Sequence, residues 1–202
     1  MKKGGQKRKG GAFEREIAKM LSMWWSNGKQ DDIFWLTSGS GARATNRRRT
    51  AGLATYGQSG DITATHPSGM VLTDNVHIEL KRGYNKDTPY DIVDKPNATA
   101  QEYEKWFDQI FEDMSTDGTK WFWLITRRDK RKPIIHIPSG FLHILIPHTG
   151  NREFMDSSAI SIVDKWEYTD EGSVYILSTQ LDSFLNWVDP ELLKSVLGCK
   201  ND

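Results

Sequence analysis

The chain has a single cysteine, Cys199, among its 202 residues, which excludes an internal disulfide framework and fits a reducing, cytoplasmic setting. It has no apolar run of membrane-spanning length and no signal-peptide pattern, so no membrane partner is expected. It has no net charge, which argues against a histone-like binder. It lacks internal repeats, and nothing beyond the first ten residues is low in complexity. Five histidines (His66, His77, His136, His143 and His148) are scattered without the spacing of a zinc site. Neither a Ser/His/Asp order nor a Cys/His pair stands out. The length suits one domain with a substantial core.

The zero balance hides an asymmetry. Residues 1–50 carry 12 Lys and Arg against 4 Asp and Glu, and residues 51–202 carry 15 against 23. Such a split marks a basic arm. Lys2, Lys3, Lys7, Arg8 and Lys9 lie among glycines, and residues 1–10 read as a flexible arm ahead of a domain over 11–202. Arg43, Arg47, Arg48 and Arg49 lie in a Gly/Ala/Thr/Asn-rich stretch at about 42–59. Both segments suit a phosphate backbone, whose contacts are salt-dependent and independent of sequence. A solubility tail and a plain solvated loop are the competing readings.

The chemistry concentrates in two short segments. Asp61-Ile62-Thr63-Ala64-Thr65 reads as a strand, His66-Pro67-Ser68-Gly69 as a turn, and Val76 to Lys81 as the next strand of a hairpin. Side chains alternate along a strand, which puts His77, Glu79 and Lys81 on one side and Val76, Ile78 and Leu80 toward the core. Two carboxylates and an amine in this order can hold a divalent cation and a water beside a phosphodiester. The competing reading is a solvated strand face. Upstream, Phe13, Ile17, Met20, Leu21 and Trp24 form one helical stripe. Glu14 stands at its boundary, within reach of a neighbouring sheet, although a first-turn Glu is also favoured by the helix dipole alone.

Lys9-Gly10 with Glu14-Arg15-Glu16, then Ser38-Gly39-Ser40-Gly41, Gly60-Asp61-Ile62 and His77-Ile78-Glu79-Leu80-Lys81 resemble the PD-(D/E)xK nuclease superfamily. Within it, their order is most similar to the archaeal-type Holliday junction resolvases, over about residues 9–82. The resemblance implies an α/β, restriction-endonuclease-like core, with a mixed sheet flanked by helices. It implies a magnesium-dependent endonuclease acting on DNA. Glu14, Asp61 and Glu79 would be metal ligands and Lys81 the catalytic lysine. Arg15 would match a family arginine, and Ser38 or Ser40 a serine-bearing loop beside the site. Magnesium's preference for octahedral oxygen ligands adds the Leu80 carbonyl to the expected set, and manganese is expected to substitute. Two departures stand out: Gly60 precedes the aspartate where a proline is usual, and residues 42–59 are an insertion absent from compact resolvases. Branched DNA is the expected substrate and a homodimer the expected state, since two strands must be nicked in register. The expected setting is the cytoplasm of a bacterial, archaeal or phage-infected cell. A restriction-type, nicking or end-processing nuclease of the same chemistry is the alternative, and a non-catalytic DNA-binding module the alternative of another class.

Downstream, Arg82 to Pro96 forms a loop, and Asn97-Ala98-Thr99 caps a helix to about Met114, ended by Asp117-Gly118. Lys120 to Thr126 is a dense aromatic strand in mid-sheet, whose rings suit a packed core better than base stacking. Arg127 to Lys132 is a basic turn, either DNA-facing or solvated. Pro133 to Pro138 is a strand and Ser139 to Leu145 a short helix. Ile160 to Trp166 and Val174 to Ser178 form a closing hairpin, and Leu181 to Leu197 a helix broken near Pro190. Gln101 and Gln109, on the helix after the Glu-x-Lys strand, are candidates for an auxiliary polar role.

Overall fold

The computed structural model describes residues 4–37, 60–91, 101–150, 158–163 and 174–198. Ser38, Ser40, Arg43, Arg47, Arg48, Arg49 and the expected cap at Asn97–Thr99 lie outside the described residues, as does the side chain of Lys9.

Helix α1 spans Gly4–Trp25 and buries Phe13, Ile17, Ala18, Leu21 and Trp25. Its start at Gly4 places the backbone of residues 4–10, expected to be a flexible arm, in the helix. Packing of an amphipathic face dominates helical stability, so a well-seated helix can extend through glycines that propensity alone disfavours. Strands β1 (Phe34–Leu36) and β2 (Ile62–Ala64) pair antiparallel as a separate ribbon. Ser22 ties this ribbon to α1, its hydroxyl accepting the Phe34 N–H at 2.8 Å.

The expected turn at residues 66–69 is instead the start of helix α2, Pro67–Thr73. Proline occupies the first turn, where no N–H is needed, and the His66 ring caps the Ser68 N–H. The segment is helical because it must pack: a Cβ on Gly69 would lie 2.7 Å from the Phe34 ring, and Leu72 is fully buried. The expected hairpin is therefore a β–α–β passage. Strand β3, Val76–Arg82, pairs not with β2 but in parallel with β4, Trp121–Arg127.

Helix α3, Glu102–Asp117, makes the crossover that such parallel pairing demands. It starts later than the sequence suggested, at a capping box of Gln101 and Glu104, and ends on Gly118 at φ +77°. Strand β5 (Ile134–Pro138), helix α4 (Ser139–Leu145), strands β6 (Ser158–Val163) and β7 (Val174–Gln180) follow, then helices α5 (Leu181–Trp187) and α6 (Pro190–Gly198). The expected closing hairpin is present as β6–β7, and the expected break near Pro190 separates α5 from α6. The order β3-β4-β5-β7-β6 makes a five-stranded mixed sheet, parallel at β3–β4 and antiparallel at its other pairs.

Both faces of the sheet are covered. Ile78, Leu80, Trp123, Ile125, Ile135, Ile137 and Leu177 join one large apolar cluster with α1 and α4–α6. Phe122, Leu124 and Ile176 join a smaller one under α3. The architecture is α/β with helices on both sides of a mixed sheet, a restriction-endonuclease-like core.

Candidate active site

Asp61 stands just before β2, where the ribbon meets β3. Its N–H donates to the Ile78 carbonyl at 2.8 Å, and its Oδ2 accepts the Leu80 N–H at 2.8 Å. One residue is thereby clamped to the backbone on either side of Glu79. Gly60 makes the approach possible. Its φ is +75°, and a Cβ there would lie 2.7 Å from the Ile78 carbonyl oxygen. Proline, held near φ −65°, cannot adopt this conformation, which accounts for the glycine before the aspartate.

On the opposite face of β3 from Ile78 and Leu80, the alternation expected from sequence holds, but this face is not open to solvent. Glu79 is 4% exposed and His77 1% exposed, both covered by α3. Lys81 Nζ donates to Glu79 Oε1 at 2.5 Å and to Gln109 Oε1 at 3.2 Å, while Gln109 Nε2 reaches Glu79 Oε1 at 3.5 Å. Gln109 thus bridges the carboxylate and the amine from across the helix–sheet interface. Gln101, the other glutamine considered, serves as the α3 cap instead.

The electrostatics follow from crowding. Burial, then the charges of Glu79 and Glu14, push Asp61 up from 3.8 to about 7 against the opposing Leu80 N–H and Lys81. Burial alone would lower Lys81, but the charge and hydrogen bond of Glu79 outweigh it and raise the ammonium's pKa. Neighbouring carboxylates that repel one another on a shielded surface form a donor set suited to a divalent cation. Asp61 and Glu79 fit that requirement. Glu14 is half-buried and reaches the site through its field on Asp61. No group of three or more His, Cys, Asp and Glu side chains capable of holding a metal assembles among the described residues.

The other expected residues divide. Arg15 is exposed on α1. Glu16 pairs with Arg127 at 2.7 Å, and Arg82 and Arg127 each lie 5.9 Å from the Phe13 ring centroid. These contacts pin α1 to the ends of β3 and β4.

His77, which alternation places on the same side of β3 as Glu79 and Lys81, joins this site. In the fold its Nδ1 lies 3.1 Å from Asp117 Oδ2, and its Nε2 faces Glu79 Oε2 at 3.9 Å. Burial would lower its pKa, but Asp117, Glu79 and Asp113 together raise it. Asp113 is itself raised, chiefly by burial. A signal for this cluster was present: Gln109, Asp113 and Asp117 recur every four residues, a polar row along the edge of the apolar stripe of the helix. Its complement is the every-second-residue row of His77, Glu79 and Lys81.

A ribbon-borne aspartate beside a Glu-x-Lys strand, on a mixed sheet with helices on both faces, defines a nuclease core of the PD-(D/E)xK class. The family described as "phage putative PDDEXK endonuclease" matches residues 5–195, and the chain belongs to it. No curated protein and no solved structure matches the chain. No described helix is long and apolar enough to cross a membrane.

Proposed function

We propose that the protein is a divalent-metal-dependent DNA endonuclease working through Asp61, Glu79 and Lys81. The observation that carries this reading is their convergence at one end of β3, with Gln109 joining the last two. Asp61 and Glu79 would hold magnesium, or manganese in its place, with the Leu80 carbonyl and Glu14 as additional ligands. When bound, the ion supplies charge to neutralise the phosphate and to acidify a water. Lys81 donates hydrogen bonds to the attacking water or to a phosphate oxygen, where charge develops. Glu79 and Gln109 hold its Nζ in place. Glu79 is kept from bulk water under α3 before substrate arrives.

Branched DNA, a Holliday junction above all, is the substrate we favour, cut by a homodimer. The support is the order and wording of the motifs from Lys9 to Lys81. Arg15, Ser38, Ser40, Arg43, Lys9 and the Arg47-Arg48-Arg49 run would contact the backbone.

The test is a panel of four-way junction, linear duplex, flap and single strand, each with magnesium, manganese and calcium. Paired symmetric nicks in the junction are expected with the first two metals. Preference for duplex or ends would remove the junction reading and leave the nuclease. No cutting of any substrate would remove the nuclease. Light scattering should give a dimer, with or without DNA. Replacing Arg47, Arg48 and Arg49 by alanine should weaken binding and lessen its salt dependence by about one unit of slope for each phosphate no longer neutralised.

A further inference from the structure

On the α3 side of the sheet, beside the candidate active site, lies a cavity of about 480 Å³. Its floor begins next to the candidate catalytic lysine, because Thr126 on β4 is the register partner of Lys81 on β3. Adjacent strands lie about 5 Å apart, so site and cavity are neighbours. The volume falls within the roughly 300–1,000 Å³ of small-molecule pockets.

Three kinds of wall meet there. The rim is the basic turn after β4, which contributes Arg128, Lys130, Arg131 and Lys132 against one carboxylate, Asp87. The turn is tethered: the Asp129 N–H donates to Asn85 Oδ1 at 2.7 Å, and the Gly83 N–H to the Arg127 carbonyl at 3.1 Å. Its cations are therefore held over the cavity by the segment that leaves β3. The sides are apolar or aromatic, formed by Ile134, Tyr103, Pro89 and Tyr90. Asp91 steadies the last two by accepting from the Thr88 N–H and hydroxyl at 3.1 and 3.2 Å.

The floor is a chain of hydrogen-bonded polar side chains. The Tyr103 hydroxyl donates to Thr126 Oγ1 at 3.3 Å. Thr126 in turn lies 3.1 Å from His136 Nε2, and His136 Nδ1 lies 2.7 Å from Ser178 Oγ. Burial pushes His136 down to about 3, so the ring is neutral and carries one N–H. The Ser178 hydroxyl ends this chain at the cavity floor, where it offers a polar group to a ligand.

We propose that this cavity receives a single unpaired nucleotide of the DNA substrate, base inward against Ser178 and phosphate on the basic turn. The inference rests on the DNA-nuclease reading and adds a substrate feature to it. A duplex cannot enter such a cavity, so the nucleotide must come from a branch point, a single-stranded segment or an extruded position. Inorganic phosphate alone would satisfy the rim and leave the apolar sides and the hydroxyl floor unused.

The test uses the full-length protein in chelator, where no strand is cut, and titrates the four deoxynucleoside monophosphates, thymidine and inorganic phosphate by calorimetry. Saturable one-to-one binding of at least one monophosphate is expected, with phosphate and thymidine each at least about tenfold weaker. Arg128→Ala combined with Arg131→Ala should weaken it by about tenfold or more. Gln180→Trp, which fills the cavity from its edge, should do the same, and far-ultraviolet dichroism checks that both variants fold. Ser178→Ala should reduce discrimination among the four bases. A single-stranded oligonucleotide should displace the bound monophosphate. No saturable binding, binding indifferent to both rim and filling variants, or failure of the oligonucleotide to displace it would overturn the proposal. Cutting assays on the same preparations separate the two readings. Cutting without nucleotide binding defeats only the pocket, and nucleotide binding without cutting defeats only the nuclease.

Discussion

The two faces of the central sheet are made by the same strands and do different things. On one, Ile78, Leu80, Trp123, Ile125, Ile135, Ile137 and Leu177 meet α1 and α4–α6 with apolar contact alone. On the other, under α3, strands β3, β4, β5 and β7 contribute polar groups among their apolar ones: Glu79 and Lys81, then Thr126, His136 and Ser178. The first face provides cohesion by apolar packing, and even the Trp123 indole N–H is buried there without a hydrogen-bond partner. The second accepts the cost of burying charge, because His77, Glu79 and Lys81 are paired with one another or with Asp117 and Gln109 on α3. One face can therefore carry chemistry because the other carries stability.

Substitutions should break this division most sharply in opposite ways. Lys81→Ala should lower the cutting rate by about a hundred- to a thousandfold, the usual loss when a group that stabilises developing charge is removed. It should also lower the melting temperature, because the buried Glu79 carboxylate keeps only Gln109 as a hydrogen-bond partner, but by less than Trp123→Ala does. Trp123→Ala, on the other face, should cost about 3–5 kcal/mol of stability. That side chain is fully buried, with the Phe184 ring 5.4 Å away edge-on. Activity per folded molecule would survive it. Equal effects of both changes on melting would erase the distinction between the faces.

Acidity should sharpen it. His136 sits well below its ordinary 6.5, at about 3, so the unfolded chain takes up a proton that the fold refuses. Its contribution to stability is complete above pH 6.5 and is lost as the pH falls toward about 3. Asp61 has the opposite sign. Raised from 3.8 to about 7, it contributes fully below 3.8 and its contribution is lost as the pH rises through about 7 in metal-free protein. Urea midpoints measured across pH should show the acid-side loss flattened in His136→Gln and the neutral-side loss flattened in Asp61→Asn. Magnesium should offset the second, binding more tightly above about pH 7 than below it. A pH profile unmoved by either variant would mean that the polar face does not govern it.

The smallest effect belongs to Gln109. Exposed on α3, it can be replaced by alanine at a cost to stability within about 0.5 kcal/mol. Steady-state cutting should nonetheless fall by about tenfold, since Lys81 loses one of its two anchors. A Glu substitution should not restore it, because a carboxylate cannot donate to Glu79.

Much of the sheet was legible in advance, for a local reason. Alternation marked β3, aromatic density marked β4, and the β6–β7 hairpin and the break before Pro190 follow from turn chemistry and proline's missing N–H. Residues 66–69 were misread because Pro, Ser and Gly also make turns, and only the close seat of Gly69 on Phe34 decides for a helix. The pairing of β3 with β4 rather than β2 was likewise invisible, since strand partners are chosen by which faces can be covered and not by adjacency in the chain.

The sequence by itself determined the chemical vocabulary of this protein: an aspartate after a glycine, a Glu-x-Lys strand, a basic amino-terminal quarter and an acidic remainder. Those features are local, and side-chain alternation and composition express them without help. Tertiary structure alone decided that Gln109 reaches Lys81, that His77 stands between Asp117 and Glu79, and that His136 lines a cavity beside the active strand. Each of these joins residues far apart in the chain. Their meeting depends on how α3 lies across the sheet, and packing, not periodicity, sets that position.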